Sequence, residues 1–171
     1  ESAVNAFWET FGKEEYGLRR ETLRPSYGMA EASLIVTTPQ TPERPIISHF
    51  DRERLAHGEA VIVEKSEDSV AYASCGQSVV AQDLTIVDPE TRAELADGHV
   101  GEIWLHGENR AAGYLGRDEE TASTFHNTLG KRLAEGSRVA NAPDDNNWLA
   151  TGDLATIVDN QVYICLLYTS D

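Results

Sequence analysis

The strongest constraint on the fold is a series of short apolar runs, separated by turn-forming residues, that begins near residue 60. Turn chemistry stands between these runs, as Asp-Pro-Glu-Thr at residues 88–91 and as Asp-Asn at residues 159–160. Short strands at such regular spacing predict a small, mostly antiparallel sheet or a partly closed barrel. The candidate strands are residues 60–63, 70–74, 84–87, 100–105, 148–149 with 154–158, and 161–164.

The N-terminal part of the chain follows a different pattern. Four apolar residues between positions 4 and 11 recur at the spacing of one helix face, and the predicted helix ends before Gly17. Residues 23–27 and 32–37 are predicted to form short strands. Residues 38–50 contain three prolines and are predicted to form a loop.

A second helix is predicted to begin at Asp118, within a run of three carboxylates that complements the dipole of a first turn. Its apolar stripe includes Phe125 and Leu129, and Gly130 ends it. Residues 131–147 then form a predicted polar loop.

The charge of the chain disfavours polyanionic partners. It carries 14 Lys and Arg against 29 Asp and Glu, a formal net charge of −15. Such a surface repels nucleic acid and anionic membranes, so neither is an expected partner. No apolar run approaches the roughly 20 residues that span a bilayer, so no membrane span is predicted.

Cysteine and histidine provide no sign of a disulfide or a zinc site. Cys75 and Cys165 are the two cysteines, nothing argues that they pair, and the five histidines lack ligand spacing. These features indicate a cytoplasmic protein. The chain opens on Glu1 and its one methionine is Met29, so we expect it to be a segment of a longer protein.

The first motif whose side chains suit ligand binding is residues 27–31 (YGMAE). Pro25 favours an extended approach, and Gly28 permits a tight bend. Tyr27 and Glu31 then supply an aromatic ring and an acid on either side of the bend. Such a group can stack a base, admit phosphates and hold a hard cation. The alternative is an ordinary turn with a solvated carboxylate.

The second motif contains a strand that continues into a glycine turn. Alternation along it places Ile103 and Leu105 on one face and Glu102, Trp104 and His106 on the other. Glu102 is either a site carboxylate or a charged residue of a barrel rim. The motif consists of residues 100–107 (VGEIWLHG) and 112–115 (AGYL).

The third motif is residues 148–154 (WLATGDL). Thr151 and Gly152 bend the chain just before Asp153, and an acid at such a turn can accept hydrogen bonds from the two hydroxyls of a ribose. An acid that caps its own turn is the alternative. The chain contains no G-x-x-x-x-G-K-[ST] loop, so a Walker-type phosphate cradle is not predicted.

The three motifs, in this order, resemble the successive core motifs of the adenylate-forming superfamily of acyl-CoA synthetases, luciferases and peptide-synthetase adenylation domains. Within that superfamily, three further stretches resemble the actinobacterial fatty-acyl-AMP ligases of the long-chain type that supplies mycolic-acid assembly. The resemblance covers nearly all of residues 11–164. The further stretches are residues 86–91 (IVDPET), 104–107 (WLHG) and 142–145 (APDD).

The resemblance implies an α/β fold from the large N-terminal domain of such an enzyme. Residues 1–58 would end an αβ nucleotide-binding subdomain, and residues 59–164 would form a β-rich, distorted barrel. The family's phosphate loop would precede the chain, and its hinge and catalytic lysine would follow it. Residues 165–171 (CLLYTSD) match nothing expected there, and we interpret this tail as a truncated or chimeric reading frame. No catalytic residue is therefore implied within the chain, which is expected to be inactive alone.

The resemblance also assigns roles within the motifs. Tyr27 would stack on or line the adenine of ATP, Gly28 and Met29 would let ATP and the acyl carboxylate approach, Glu31 would ligate Mg²⁺, and Asp153 would hold the ribose. A long-chain fatty acid would attack the α-phosphate of ATP, releasing pyrophosphate and leaving an acyl adenylate.

Residues 39–69 occupy the position of an insertion that this family carries, which implies delivery of the adenylate to an acyl carrier protein domain of a polyketide synthase. An acyl-CoA ligase is the alternative within the superfamily. A non-catalytic, β-rich binding or remnant module is the alternative outside it.

Overall fold

A four-stranded antiparallel sheet forms the centre of the protein in a computed structural model that describes residues 2–42, 44–79 and 82–166. The structure also contains two two-stranded ribbons and three short α-helices. In chain order the elements are α1 (Ser2–Phe11), β1 (Thr37–Thr38), β2 (Ile47–Asp51), α2 (Arg52–Ala56), β3 (Ser69–Ala73), β4 (Gln77–Ser78), β5 (Gln82–Val87), β6 (Gly101–Gly107), α3 (Asp118–Phe125), β7 (Leu149–Val158) and β8 (Gln161–Leu166).

The strand order β5-β6-β7-β8 follows the chain, and every neighbouring pair is antiparallel. Leu84 lies opposite Leu105, and Ala155 lies opposite Ile164. Sequential strands joined by turns are the arrangement that the regular spacing of apolar runs predicts. The predicted antiparallel sheet is therefore confirmed for the later strands. Of the earlier ones, residues 70–74 correspond to β3, which pairs with β2 outside this sheet, and within residues 60–63 Ile62 forms an isolated bridge to Phe50.

The alternation along β6 separates two cores, as predicted. Ile103 and Leu105 belong to one buried cluster, which also contains Tyr27, Val36 and Phe125. On the opposite face, a second cluster consists of Val87, Trp104, Leu129, Val139, Ala142 and Trp148. The sheet is thus covered on both faces, by the 27–36 segment and α3 on one side and by the 127–148 segment on the other.

The hairpin of β2 and β3 packs against the edge strand β8. Phe50 of β2 is fully buried, with its ring centroid 5.0 Å from that of Tyr163, and the hydroxyls of Ser48 and Tyr163 are 2.9 Å apart. Strand β2 begins at Ile47, so the predicted loop over residues 38–50 ends early. This hairpin spans the predicted subdomain boundary between residues 58 and 59, which stays a prediction.

The two strands predicted near the first motif are wrong. Residues 23–26 form no strand, because Pro25 has no amide to donate and the Ser26 hydroxyl bonds the Arg24 carbonyl. In place of a strand over residues 32–37, Ala30–Ala32 form a 3-10 turn and the chain then reverses through Ser33 and Leu34 at φ of 55° and 84°. The reversal brings Thr37 back to pair with Tyr27.

Helix α3 is one turn shorter than its apolar stripe predicts. It ends at Phe125 because the Asn127 side-chain amide donates to the carbonyls of Ser123 and Thr124, at 2.7 and 3.1 Å, and closes the helix C-terminus. Leu129 therefore lies outside the helix, in the second core cluster.

The predicted polar loop over residues 131–147 has no regular strand or helix, but it is held by two charged side chains. Arg132 donates to the Asp145 carboxylate and to four backbone carbonyls of the loop. The buried Glu94 accepts from the amides of Leu133 and Arg138, each at 2.9 Å, and from Thr85 Oγ1 at 3.1 Å. These bonds fix the loop over the second core.

No helix within the described ranges is long and apolar enough to cross a membrane. In the C-terminal tail, residues 165–171, Cys165 and Leu166 end β8, and residues 167–171 lie outside the described residues.

We expect Glu94→Gln to lower the free energy of unfolding by about 1–3 kcal/mol, because an amide nitrogen would face backbone donors that the carboxylate now satisfies. Urea unfolding of the chain measures this change. Glu90→Gln is the matched control, since Glu90 is exposed. Equal stability of the two variants would contradict the role assigned to Glu94.

Candidate functional site

An open cleft of about 750 Å³ brings the first and third motifs together. Met29 and Glu31 line it from one side, and Asp153 lines it from strand β7. Two residues of the second motif also line the cleft, Glu102 on β6 and Tyr114 in the segment that follows β6. Distant parts of the chain thus share one concave surface.

Asp153 projects into the cleft from a bulge in β7. Trp104 pairs with Ala150, and Glu102 pairs with Leu154. Residues 151–153 of β7 therefore lie opposite the single residue Ile103 of β6. Gly152 has φ of 77°, a left-handed conformation that glycine adopts without strain. The bulge turns the side chain of the next residue out of the sheet.

Glu102 holds this bulge in place. One carboxylate oxygen accepts from the Gly152 amide at 2.7 Å, and the other accepts from the indole nitrogen of Trp104 at 2.9 Å. Thr151 Oγ1 donates to the Ile103 carbonyl at 2.9 Å and accepts from the Asp153 amide at 3.1 Å. The structure therefore places Glu102 both on the cleft wall and under the turn that carries Asp153.

Tyr27 supports Asp153 from within the core. Its side chain is 6% exposed, and its hydroxyl donates to Asp153 Oδ2 at 2.6 Å. Burial, followed by the hydrogen bond to Asp153 and the charge of that carboxylate, raises the pKa of the Tyr27 hydroxyl well above its ordinary value. Tyr27 is therefore a hydrogen-bond donor at neutral pH, and its predicted contact with adenine stays a prediction.

Gly28 is required by the chain itself. A Cβ at this position would lie 1.6 Å from the carbonyl oxygen of Leu34, because the reversal at Ser33 and Leu34 folds the backbone back over it. The close approach predicted at Gly28 is thus to the protein backbone, and its role toward ATP stays a prediction. Met29 lies beside Tyr27, with its sulfur 3.9 Å from the tyrosine hydroxyl.

Glu31 faces the cleft from the 3-10 turn that follows Met29. Its Oε1 accepts from the Tyr114 hydroxyl at 2.7 Å. Burial, followed by this hydrogen bond and the charge of Glu31, raises the pKa of the Tyr114 hydroxyl, which therefore stays protonated at neutral pH. The described residues contain no group of three or more His, Cys, Asp or Glu side chains that could hold a metal ion.

Sequence patterns leave two residues of the site without a definite role. Tyr114 belongs to the second motif, but no pattern links it to Glu31, 83 positions away. The sequence is compatible with Glu102 as a site carboxylate or as a charged residue of a barrel rim. Its hydrogen bond to the β7 bulge depends on the register of β6 and β7, which no local pattern specifies. A tyrosine directly after a glycine in the second motif is the available signal for Tyr114.

Comparison with known proteins decides the family. A family model described as "AMP-binding enzyme" matches residues 1–115. The chain belongs to the AMP-binding enzyme family. The predicted resemblance to adenylate-forming enzymes is therefore confirmed.

The relatives within this family include the long-chain-fatty-acid–AMP ligase FadD32 of Mycobacterium marinum, 43% identical over 164 residues. That match covers 95% of this chain and 26% of the relative. The putative fatty-acid–CoA ligase FadD21 of Mycobacterium tuberculosis is 36% identical over 149 residues, covering 87% of this chain and 24% of the relative. The chain thus spans about a quarter of the length of the curated relatives it matches.

The crystal structure of a fatty acyl-adenylate ligase from L. pneumophila, in complex with acyl adenylate and pyrophosphate, has the same fold. It superposes with a TM-score of 0.78 at 29% identity, over 96% of this chain and 26% of that one. The predicted fold class, an α/β piece of the N-terminal domain with a curled antiparallel sheet, is confirmed.

We expect Gly28→Ala to lower the free energy of unfolding by about 1–3 kcal/mol, because the new methyl group overlaps the Leu34 carbonyl. In the comparison variant Gly17→Ala, the new methyl group would meet no atom within 4 Å, so its cost comes only from the left-handed φ of 61°, a conformation that Gly28 does not adopt. Thermal unfolding of both variants measures the difference. A Gly28→Ala chain more stable than the Gly17→Ala chain would refute the steric explanation.

Proposed function

We propose that the whole protein containing this chain activates a long-chain fatty acid with ATP to give an acyl adenylate. The chain supplies the side of the site that holds adenosine and the metal. The observation that carries the proposal is the meeting of Asp153 and Glu31 at one cleft, in a chain 43% identical to a long-chain-fatty-acid–AMP ligase. We expect the isolated chain to form no adenylate, because it corresponds to about a quarter of the length of the fatty-acid–AMP ligases that it resembles.

Asp153 is the proposed ribose-binding residue. A carboxylate is an acceptor only, and its two oxygens match the two hydroxyl donors of a ribose. Tyr27 fixes one of these oxygens by its hydrogen bond, and the β7 bulge fixes the backbone beneath them. The carboxylate is therefore oriented before a nucleotide arrives, which lowers the entropy cost of binding.

The residues of the cleft fit a magnesium ion bound together with ATP. Three carboxylates line the cleft, those of Glu31, Glu102 and Asp153, and no Lys or Arg of the described residues lines it. The phosphates of ATP would meet uncompensated negative charge there. Mg²⁺ is usually held by one or two carboxylates together with substrate phosphates, and Glu31 provides such a carboxylate. When bound, the ion would neutralise phosphate charge as the α-phosphorus is attacked.

In the proposed reaction, a carboxylate oxygen of the fatty acid bonds to the α-phosphorus of ATP, and the bond from that phosphorus to the bridging oxygen of pyrophosphate breaks. The residues of this chain hold the nucleotide in line for that attack. Positioning of this kind accounts for a large share of the acceleration in phosphoryl transfer chemistry. No group of this chain transfers a proton in the step.

The proposed acceptor of the acyl group is an acyl carrier protein domain of a polyketide synthase, in the cytoplasm. The FadD32 relative is named an AMP ligase and not a CoA ligase, which supports this acceptor. The β2–β3 hairpin also lies within the stretch that resembles the family's insertion. Coenzyme A is the second candidate acceptor, which the name of the FadD21 relative favours.

We expect Asp153→Asn in the whole protein to weaken ATP binding roughly tenfold to a hundredfold, because an amide replaces one of the two charged acceptor oxygens with a nitrogen that donates. Fatty-acid-dependent exchange of pyrophosphate into ATP measures the change in KM for ATP. Asp159→Asn is the matched control, since Asp159 is exposed in the turn after β7. An unchanged KM in Asp153→Asn would exclude ribose binding by this residue.

The acceptor is tested by product analysis of the whole protein with ATP and a long-chain fatty acid. With coenzyme A alone we expect acyl adenylate and no acyl thioester. With a holo acyl carrier protein we expect the acyl-loaded carrier. Rapid formation of acyl-CoA would favour the second candidate instead.

A further inference from the structure

We propose that Tyr114 is a positioning residue that holds the carboxylate of Glu31 in the orientation required for a divalent cation. The inference rests on the proposed function, because it concerns how the chain prepares a cation ligand for ATP. The contact behind it is the 2.7 Å hydrogen bond from the Tyr114 hydroxyl to Glu31 Oε1. Both residues line the cleft.

The hydrogen bond is one of several that join residues 109–114 to residues 31–33. The Ala111 amide donates to the Glu31 carbonyl at 2.7 Å, and the Ser33 hydroxyl donates to the Asn109 carbonyl, also at 2.7 Å. The Asn109 side-chain amide donates to the Ala32 carbonyl at 3.2 Å. These three bonds fix the backbone around Glu31, and the bond from Tyr114 fixes its side chain.

Tyr114 is itself held from α3. Its amide donates to Thr121 Oγ1 at 2.9 Å, and its ring packs edge-on against Phe125 with the centroids 5.2 Å apart. A Cβ on Gly113 would lie 2.3 Å from Thr121 Cγ2, so glycine allows the approach of the chain to this helix. The hydroxyl of Tyr114 is therefore placed by packing that does not involve Glu31.

This arrangement divides the two oxygens of Glu31 between two tasks. Oε1 accepts from Tyr114, while Oε2 accepts no hydrogen bond from any described residue. A glutamate side chain on a 3-10 turn has several rotamers, and fixing one of them removes an entropy cost from metal binding. Partners of this kind, which hydrogen-bond a metal ligand, change metal affinity about 10–100-fold when they are removed.

The test compares ATP binding with and without Mg²⁺ in the whole protein, by calorimetry in the absence of fatty acid. For each variant the readout is the ratio of the two dissociation constants, which reports the gain that the metal contributes. In Tyr114→Phe, which keeps the ring against Phe125, we expect this gain to fall about tenfold. In Tyr16→Phe, the matched control at an exposed position, we expect the wild-type ratio.

A Tyr114→Phe protein with the wild-type ratio would overturn the proposal, whether or not its metal-free affinity had changed, because a purely structural role moves both dissociation constants together. A wild-type protein that binds no ATP under either condition would instead refute the proposed function. Thr121→Val gives a second variant, since it releases the Tyr114 backbone while leaving the phenol in place. We expect its ratio to lie between those of wild type and Tyr114→Phe, and a ratio equal to wild type in both variants would also count against the proposal.

Discussion

The hydrogen bond from Tyr27 to Asp153 is the contact on which the cleft depends. It joins residues 126 positions apart, so it forms only when the 27–36 segment has packed on the sheet and the β7 bulge is in place. A buried tyrosine hydroxyl without a partner would cost about 1–3 kcal/mol, and here the Asp153 carboxylate satisfies it. The orientation of the candidate ribose-binding carboxylate therefore depends on the packing of the core.

Each carboxylate to which the proposed function assigns a ligand is paired with a tyrosine hydroxyl. Tyr27 donates to Asp153 and Tyr114 donates to Glu31, and in both tyrosines the pKa is raised, first by burial. Neutral donors orient the acids without cancelling their charge, as a lysine or arginine would. In a chain of net charge −15, this leaves a negative cleft that suits a cation bound with its nucleotide.

Sequence periodicity predicted the elements whose side chains alternate or recur, and it failed where hydrogen bonds override that pattern. The strands of the main sheet and the two faces of β6 follow from alternation at Ile103, Trp104 and Leu105. The apolar run before Thr37 is instead a reversal, since Leu34 adopts φ of 84°, and its side chain is 69% exposed. The pairing of Tyr114 with Glu31 depends on tertiary packing, so no local pattern could have predicted it.

The central claim is that Asp153 and Glu31 hold one nucleotide between them. A crystal structure of the whole protein with ATP, Mg²⁺ and no fatty acid tests it most directly. We expect both ribose hydroxyls to lie within hydrogen-bond distance of the Asp153 carboxylate, and Mg²⁺ to be coordinated by Glu31 and the phosphates. A nucleotide bound elsewhere, or a metal ion coordinated without Glu31, would contradict it.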